Sequence, residues 1–285
     1  MKLGIDSYSF HRQFGEAYPG LETLPAQRWS VWDFLDTADR LGAEAVSLES
    51  CFMPVGDRDL TRALAARLDA GGTERVWAWG HPRGLESGQA PDQLQAGIAS
   101  LSDAAAVGAK VMRICAGGRG TRVGTWAQQR EALLPLLARF TQAAKALGIT
   151  LALENHIDLY ADEVLDLIES LGSEHFGLCF DTANNLRLYE DPHEVARRLA
   201  PHARATHIKD IRPLGGDPET IAFWPSVPVG DGLLKMPEIL QALHDARYQG
   251  VLAVEIDYLA PGHGTEEQAV AKSLAYLDAL LSDFR

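Results

Sequence analysis

A single-domain α/β fold, the eight-fold strand–helix or (β/α)8 barrel, is what this 285-residue sequence predicts. Three observations carry that expectation. An amphipathic stretch, a glycine and a short apolar run recur as DRLGAEAVSLE (39–49), AAVGAKVMRI (105–114), KALGITLALE (145–154) and ARYQGVLAVE (246–255), each reading as a helix stopped by Gly before a buried strand. Filling the gaps by period yields eight strands alternating with eight helices, which implies parallel strands with right-handed crossovers. The rival, an open dinucleotide-binding sheet, needs GxGxxG after its first strand, and Ile5 is followed instead by DSYSFHRQF.

The units follow in order, strands as short apolar runs and helices as apolar residues at i, i+3, i+4 and i+7 spacing. Strand 2–6 leads through a long connection, 7–30, to helix 31–41. Strand 44–49 precedes helix 58–70, strand 74–79 helix 91–107, and strand 110–115 helix 125–147. Strand 149–154 then precedes helix 161–171, and strand 176–181 precedes helix 192–200. Strand 204–209 is followed by the second long connection, 210–234, and helix 235–246; strand 251–256 and helix 265–282 close the chain. One domain, 1–285, is therefore expected. Both long connections leave the strand C-termini, the face where barrel enzymes carry their sites, and the second has the glycines and aromatics of a lid, Trp224 among them.

Composition narrows the function. Against 39 Asp+Glu stand 26 Lys+Arg, a formal net charge of −13, and no basic run is present, so a nucleic-acid partner is not expected and small-molecule chemistry is. No apolar run nears the roughly 20 residues of a membrane helix, and MKLGIDSYSF lacks a signal peptide's apolar segment, so no membrane partner and a cytoplasmic location are expected. Cys51, Cys115 and Cys179, an odd number without CxxC spacing, read as reduced.

Barrel interiors are mostly branched and apolar, so a polar residue ending a strand points at the mouth and needs a partner or a metal. Glu154, Asp181, His207 and Glu255 end four consecutive strands, which in a closed barrel form an arc around one point. Three carboxylates and an imidazole make a hard, oxygen-dominated set, suited to one divalent cation: Mn²⁺ is expected, with Mg²⁺ or Co²⁺ as alternatives. Taken singly, each acid has a plainer role: Asp181 could cap the next helix and Glu255 could pair with a basic neighbour. Lys209, two past His207, shares its face and could neutralise an oxyanion or pair with Asp210 or Glu154. Glu49, His81, Arg113, His156 and Asn184 also lie at strand ends and are candidate substrate contacts. His11, with Phe10, Phe14 and Trp29, could wall a sugar face from the first long loop, as Trp224 could from the second.

At these residues the sequence resembles the xylose-isomerase-like superfamily of sugar isomerases and epimerases, most specifically in LALENH (151–156), LCFDTANNL (178–186), THIKDI (206–211), VPVGDGLLKMPEIL (227–240) and GVLAVEID (250–257). The resemblance implies a TIM barrel whose cation is held by Glu154, Asp181, His207 and Glu255. Glu154 and Glu255 would double as acid and base, removing and returning a proton next to a metal-bound carbonyl through an enediolate. It implies a small carbohydrate substrate and a homodimer or homotetramer. The chain departs from ketose 3-epimerases at Asn184, where they carry histidine, and in His207-Ile-Lys-Asp, a form resembling the dehydratase and lyase branch. Isomerase or epimerase is the expected class, with a dehydrating, β-eliminating or decarboxylating lyase as the alternative. Two remoter readings are an apurinic endonuclease, which would need additional histidines for three metals, and a metal-free binding barrel, which the complete ligand set opposes. Only Gly262 and Gly264 precede the last helix, too few for a phosphate loop, so an unphosphorylated substrate is expected.

Overall fold

The computed structural model describes residues 1–213 and 224–284. Among these, eight parallel strands close into a barrel: β1 Lys2–Asp6, β2 Ala45–Glu49, β3 Glu74–Trp79, β4 Val111–Ile114, β5 Thr150–Glu154, β6 Phe176–Asp181, β7 Ala203–Ile208 and β8 Val251–Val254. Each strand pairs with its sequence neighbours, and β8 with β1, Lys2 standing opposite Val251. The outer ring is α1 Val31–Arg40, α2 Arg58–Gly71, α3 Gln93–Val107, α4 Trp126–Ala146, α5 Ala161–Leu171, α6 Pro192–Leu199, α7 Met236–Asp245 and α8 Glu266–Leu281. Every expected strand and helix is present, with ends within two residues of expectation. None of the described helices is long and apolar enough to cross a membrane.

The helix stops work as the recurring phrase suggests in three of its four copies. Gly42, Gly108 and Gly148 take left-handed backbone (φ 74°, 84° and 66°), which L side chains avoid. In the fourth copy the left-handed residue is Arg247 (φ 59°), whereas Gly250 serves close approach: a Cβ there would sit 2.5 Å from the Tyr248 hydroxyl. Side-chain caps start the later helices, as Thr125 and Gln128 do for α4 and Thr265 and Gln268 for α8.

Alternation divides each strand between two environments. Outward residues such as Leu48, Trp77, Met112, Leu153, Phe180 and Leu252 are large and fill the layer between barrel and helices. Inward residues are small rather than branched, contrary to expectation: Ala45, Ala152, Cys179, Ala205 and Ala253 cluster with Val76 and Val251. Small side chains below leave room above for long charged ones. The same inward parity continues at the strand ends into Glu49, Arg113, Glu154, Asp181, His207 and Glu255, all buried.

In the first long connection, Ser7–Phe10 and His11–Phe14 form two short helical turns. In the second, Asp210–Ile211 pairs antiparallel with Ser226–Val227. The Asp210 carboxylate accepts the N–H groups of Gly230 (3.0 Å), Gly232 (2.9 Å), Leu234 (3.1 Å) and Ile211 (3.0 Å), fastening the loop just before α7. Only glycine fits at 232, since a Cβ would lie 1.9 Å from Asp210 Oδ1. The tip of the expected lid, 214–223, lies outside the described residues.

Candidate active site

At the C-terminal end of the barrel, one ligand atom each from Glu154, Asp181 and His207 lies within 4.8 Å of the others. Asp181 Oδ1 accepts the N–H groups of Ala183 (2.7 Å) and Asn184 (2.9 Å) in the turn that follows its strand, but the next helix, α6, is capped by Asp191, so Asp181 does not have the capping role expected for it. Asn155 braces that strand end by accepting the Asp181 N–H at 2.7 Å and donating to its carbonyl at 2.8 Å. Both ring nitrogens of His207 are buried without a hydrogen bond among the described residues, whereas Asp181 Oδ2 and Glu255 Oε2 are ion-paired to Lys209. His207 Nδ1 faces Glu255 Oε2 at 3.4 Å and Glu154 Oε2 at 3.8 Å, and Nε2 lies 3.4 Å from Asp6 Oδ2. An imidazole nitrogen flanked by carboxylate oxygens, its other nitrogen turned to a further carboxylate, is the donor arrangement of a divalent-cation site. The residues fit such an ion.

The Lys209 ammonium holds the same group together. Nζ lies 2.6 Å from Glu255 Oε2, 3.0 Å from Asp181 Oδ2 and 3.1 Å from Asp257 Oδ1. Its partners are thus two of the expected cation ligands and Asp257, not Asp210 or Glu154. Burial would discharge Lys209, but Asp181, Asp257 and Glu255 outweigh that and keep it charged. Burial likewise opposes ionisation of Glu255, and His207 and Lys209 reverse it, so its carboxylate falls well below the ordinary range.

Across the mouth Arg113 ties two strand ends, its Nη2 3.0 Å from Glu49 Oε1 and its Nε 2.7 Å from Glu154 Oε2. Asn184 Nδ2 donates to the other Glu154 oxygen at 3.0 Å. Burial would raise the Glu154 carboxyl, but Arg113 and then His207 pull it down to about 2. Glu49 goes the other way: burial outweighs Arg113, and nearby Asp6 adds to it, lifting the group to about 7.

Above these groups opens a cavity of about 330 Å³. Of the expected substrate contacts, His81, Arg113, His156, Asn184 and Trp224 line it, as do Glu154, Lys209 and Glu255. Two expectations are corrected. Glu49 is sealed beneath Arg113, only 1% exposed. His11 is fully buried, its ring nitrogens 2.9 Å from the Tyr8 carbonyl and 2.9 Å from Glu22 Oε2, so it supports the wall from behind. Phe10 packs on Trp29 and Phe14 stacks on Phe52, so these aromatics underlie the loop rather than face the cavity.

The aromatic wall comes instead from Tyr8 and Tyr18, with Glu16 Oε1 accepting from the Tyr8 hydroxyl (3.0 Å) and from His81 Nε2 (2.9 Å). Sequence reasoning missed these residues and also Asp6, Arg119, Arg187 and Asp257. Asp6 and Asp257 carried a usable signal, since each is an acid at a strand end or two residues past Glu255. Arg119 sits in a loop and Arg187 in the short helical turn Asn184–Leu188, neither long enough to show periodicity. The three cysteines are free, Cys115 and Cys179 buried and Cys51 exposed.

Comparison with known proteins agrees with this architecture. An inosose dehydratase of Lacticaseibacillus casei is 24% identical over 164 residues, 53% of this chain and 55% of that protein. The chain thus spans about half the length of that curated relative. Among solved structures, an L-ribulose 3-epimerase superposes with TM-score 0.75 at 20% identity, covering 99% of this chain and 95% of that one. IOLI protein, solved with a binding zinc atom, superposes with TM-score 0.77 at 14% identity, covering 100% and 99%. At such identities the superpositions establish the fold. The family model described as the xylose isomerase-like TIM barrel matches residues 35–280, and the chain belongs to that family.

Proposed function

We propose that this protein is a divalent-metal-dependent sugar isomerase or epimerase, acting on a small keto sugar or related polyhydroxylated carbonyl compound by moving a proton at the carbon next to the carbonyl. The observation that supports it best is the convergence of Glu154, Asp181 and His207, with Glu255 beside them and both His207 ring nitrogens left without hydrogen bonds among the described residues. These four residues would hold a divalent cation, which would supply Lewis acidity to a carbonyl and so acidify the adjacent C–H. Mn²⁺ suits the oxygen-rich set best, although a structural relative was solved with zinc.

The chain's own groups divide the remaining work. Glu154, kept ionised by Arg113, accepts the proton, and Asn184 fixes its second oxygen. Glu255 returns one from the β8 side, passing on a proton from the Lys209 ammonium 2.6 Å from its Oε2. Lys209 also brings positive charge to an enediolate oxygen. Tyr8 and Tyr18 offer rings to the apolar face of a sugar, and His81, His156 and Trp224 bound the space around it. A cytoplasmic homodimer or homotetramer completes the proposal, and sizing tests the assembly.

A second reading has its own support. Lys209 in the cavity can protonate a departing hydroxyl, and the dehydratase match points the same way, so elimination after the same proton abstraction gives a lyase. Incubation with keto sugars, oxo-sugar acids and cyclitols in D2O with Mn²⁺ separates the two. Deuterium in recovered substrate or an epimer supports proton return; an unsaturated or cleaved product makes the enzyme a lyase. Protein that carries no metal and incorporates no deuterium from any compound ends both readings.

A further inference from the structure

We infer that the substrate carries a carboxylate, which Arg187 and Arg119 recognise. The inference rests on the proposed function and adds the substrate's charge to it. In this cavity the acids are already matched. Glu16 meets His81, Glu154 meets Arg113, and Glu255 and Asp257 meet Lys209. One cation is not. Of the four Arg and Lys side chains lining the cavity, Arg119 alone has no carboxylate partner among the described residues.

An exposed arginine by itself is a solvated charge, but Arg187 is a prepared one. Its side chain is 11% exposed and held at one end, Nη2 3.1 Å from both Asp257 Oδ2 and the Trp224 carbonyl, Nη1 3.3 Å from Asn184 Oδ1. Those three bonds leave two of a guanidinium's five N–H donors for a ligand in the cavity it lines. A buried, pre-oriented guanidinium with spare N–H donors suits a carboxylate, each spare N–H donating singly because both Nη2 hydrogens are already taken. His156, whose Nδ1 lies 2.8 Å from the Gly117 carbonyl, packs beside the loop that carries Arg119 and stiffens that corner.

The anion is a carboxylate rather than a phosphate for a separate reason. Barrel enzymes often seat phosphate on backbone N–H groups in the loops after the seventh and eighth strands. Here the N–H groups of Gly230, Gly232 and Leu234 are spent on the Asp210 carboxylate.

Gluconate, sorbitol and sorbitol 6-phosphate share a six-carbon polyol frame, suit a cavity of this size, and differ at one terminus. Titrated calorimetrically into Mn²⁺-loaded protein, gluconate is expected to bind at least about tenfold more tightly than sorbitol. Arg119→Gln should cut that preference about threefold to tenfold and leave sorbitol affinity unchanged. Arg187→Lys keeps the buried charge and should cut it further, with circular dichroism and bound manganese confirming an intact protein. Equal affinities for gluconate and sorbitol overturn the inference, as does a preference that survives both substitutions, because the cation alone would then hold the carboxylate. Tightest binding by the phosphate ester overturns it in favour of a phosphorylated substrate. These failures leave metal content and deuterium exchange untouched, so they are distinct from failure of the proposed function.

Discussion

The two halves of the barrel mouth use the same strand-end positions differently. On β1–β4, Glu49 and Arg113 form a fixed ionic link that reaches across to Glu154. On β5–β8, Asp181 and Glu255 are ion-paired to the Lys209 ammonium, and His207 stands between Glu154 and Glu255 with both ring nitrogens free of hydrogen bonds among the described residues. A guanidinium is permanently charged and locked by its planar fork, whereas an ammonium on a four-carbon stem can be displaced. The first link is locked by its fork; the second is held by a single point charge.

The largest expected effect tests the β5–β8 half. Glu154→Gln and Glu255→Gln should each lower deuterium exchange by about 10²–10⁴-fold in folded protein, the usual range for a positioned acid or base. Full turnover in either folded variant removes that residue from proton transfer. Next comes the fixed half. Arg113→Met strands buried carboxylates and should lower unfolding free energy by about 3–5 kcal/mol, read by urea denaturation, with Glu49→Leu in the same chain recovering part of the loss. A variant as stable as the parent would show the link to be incidental.

A smaller effect sharpens the contrast itself. Lys209→Met removes a positive charge that competes for Asp181 and Glu255, so Mn²⁺ should bind about tenfold more tightly by calorimetry even as turnover falls. Unchanged or weaker binding would mean that the ammonium supports the cation site instead of competing for it.

The smallest effect concerns the rim pair Glu16 and His81. Burial opposes the charge on both, but the hydrogen bond to Glu16 and the attraction of Glu49 and Glu16 raise His81 above its ordinary 6.5, and His81 in turn lowers Glu16 below its ordinary 4.5. A raised histidine contributes stability that is full below 6.5 and lost as pH rises through its folded value. A depressed glutamate contributes stability that is full above 4.5 and lost as pH falls through its folded value. The contribution is therefore greatest between about pH 4.5 and 6.5, with a size of about 1 kcal/mol or less for this part-exposed pair. The melting-temperature gap between the parent and His81→Gln should peak in that window, and a flat gap would remove the ion pair.

The architecture was legible because helix stops and strand alternation are local. LALE (151–154) and LAVE (252–255) show where a strand ends and that an acid ends it, and closure of the barrel then makes an arc of acids on consecutive strands. Packing in depth was not legible. Glu49 and Glu154 are both inward strand-end acids, and only the reach of Arg113 decides that one is covered while the other lines the cavity. His11 looked like a wall residue by composition, but the four-residue turn Ser7–Phe10 after β1 brings Tyr8 forward to stack over it. Arg187 depends on a contact 70 residues away in sequence, with Asp257, that no local pattern encodes.

The four N–H contacts to Asp210 also bear on inhibition. A loop of free backbone amides at a barrel mouth is open to every phosphate or sulfate ion in its surroundings, and each bound ion would crowd the entrance. In this protein the competing anion is part of the chain, always at one equivalent and unable to diffuse away. Inorganic phosphate should therefore be a poor inhibitor through this loop, and Asp210→Ser should turn a phosphate-insensitive entrance into a sensitive one.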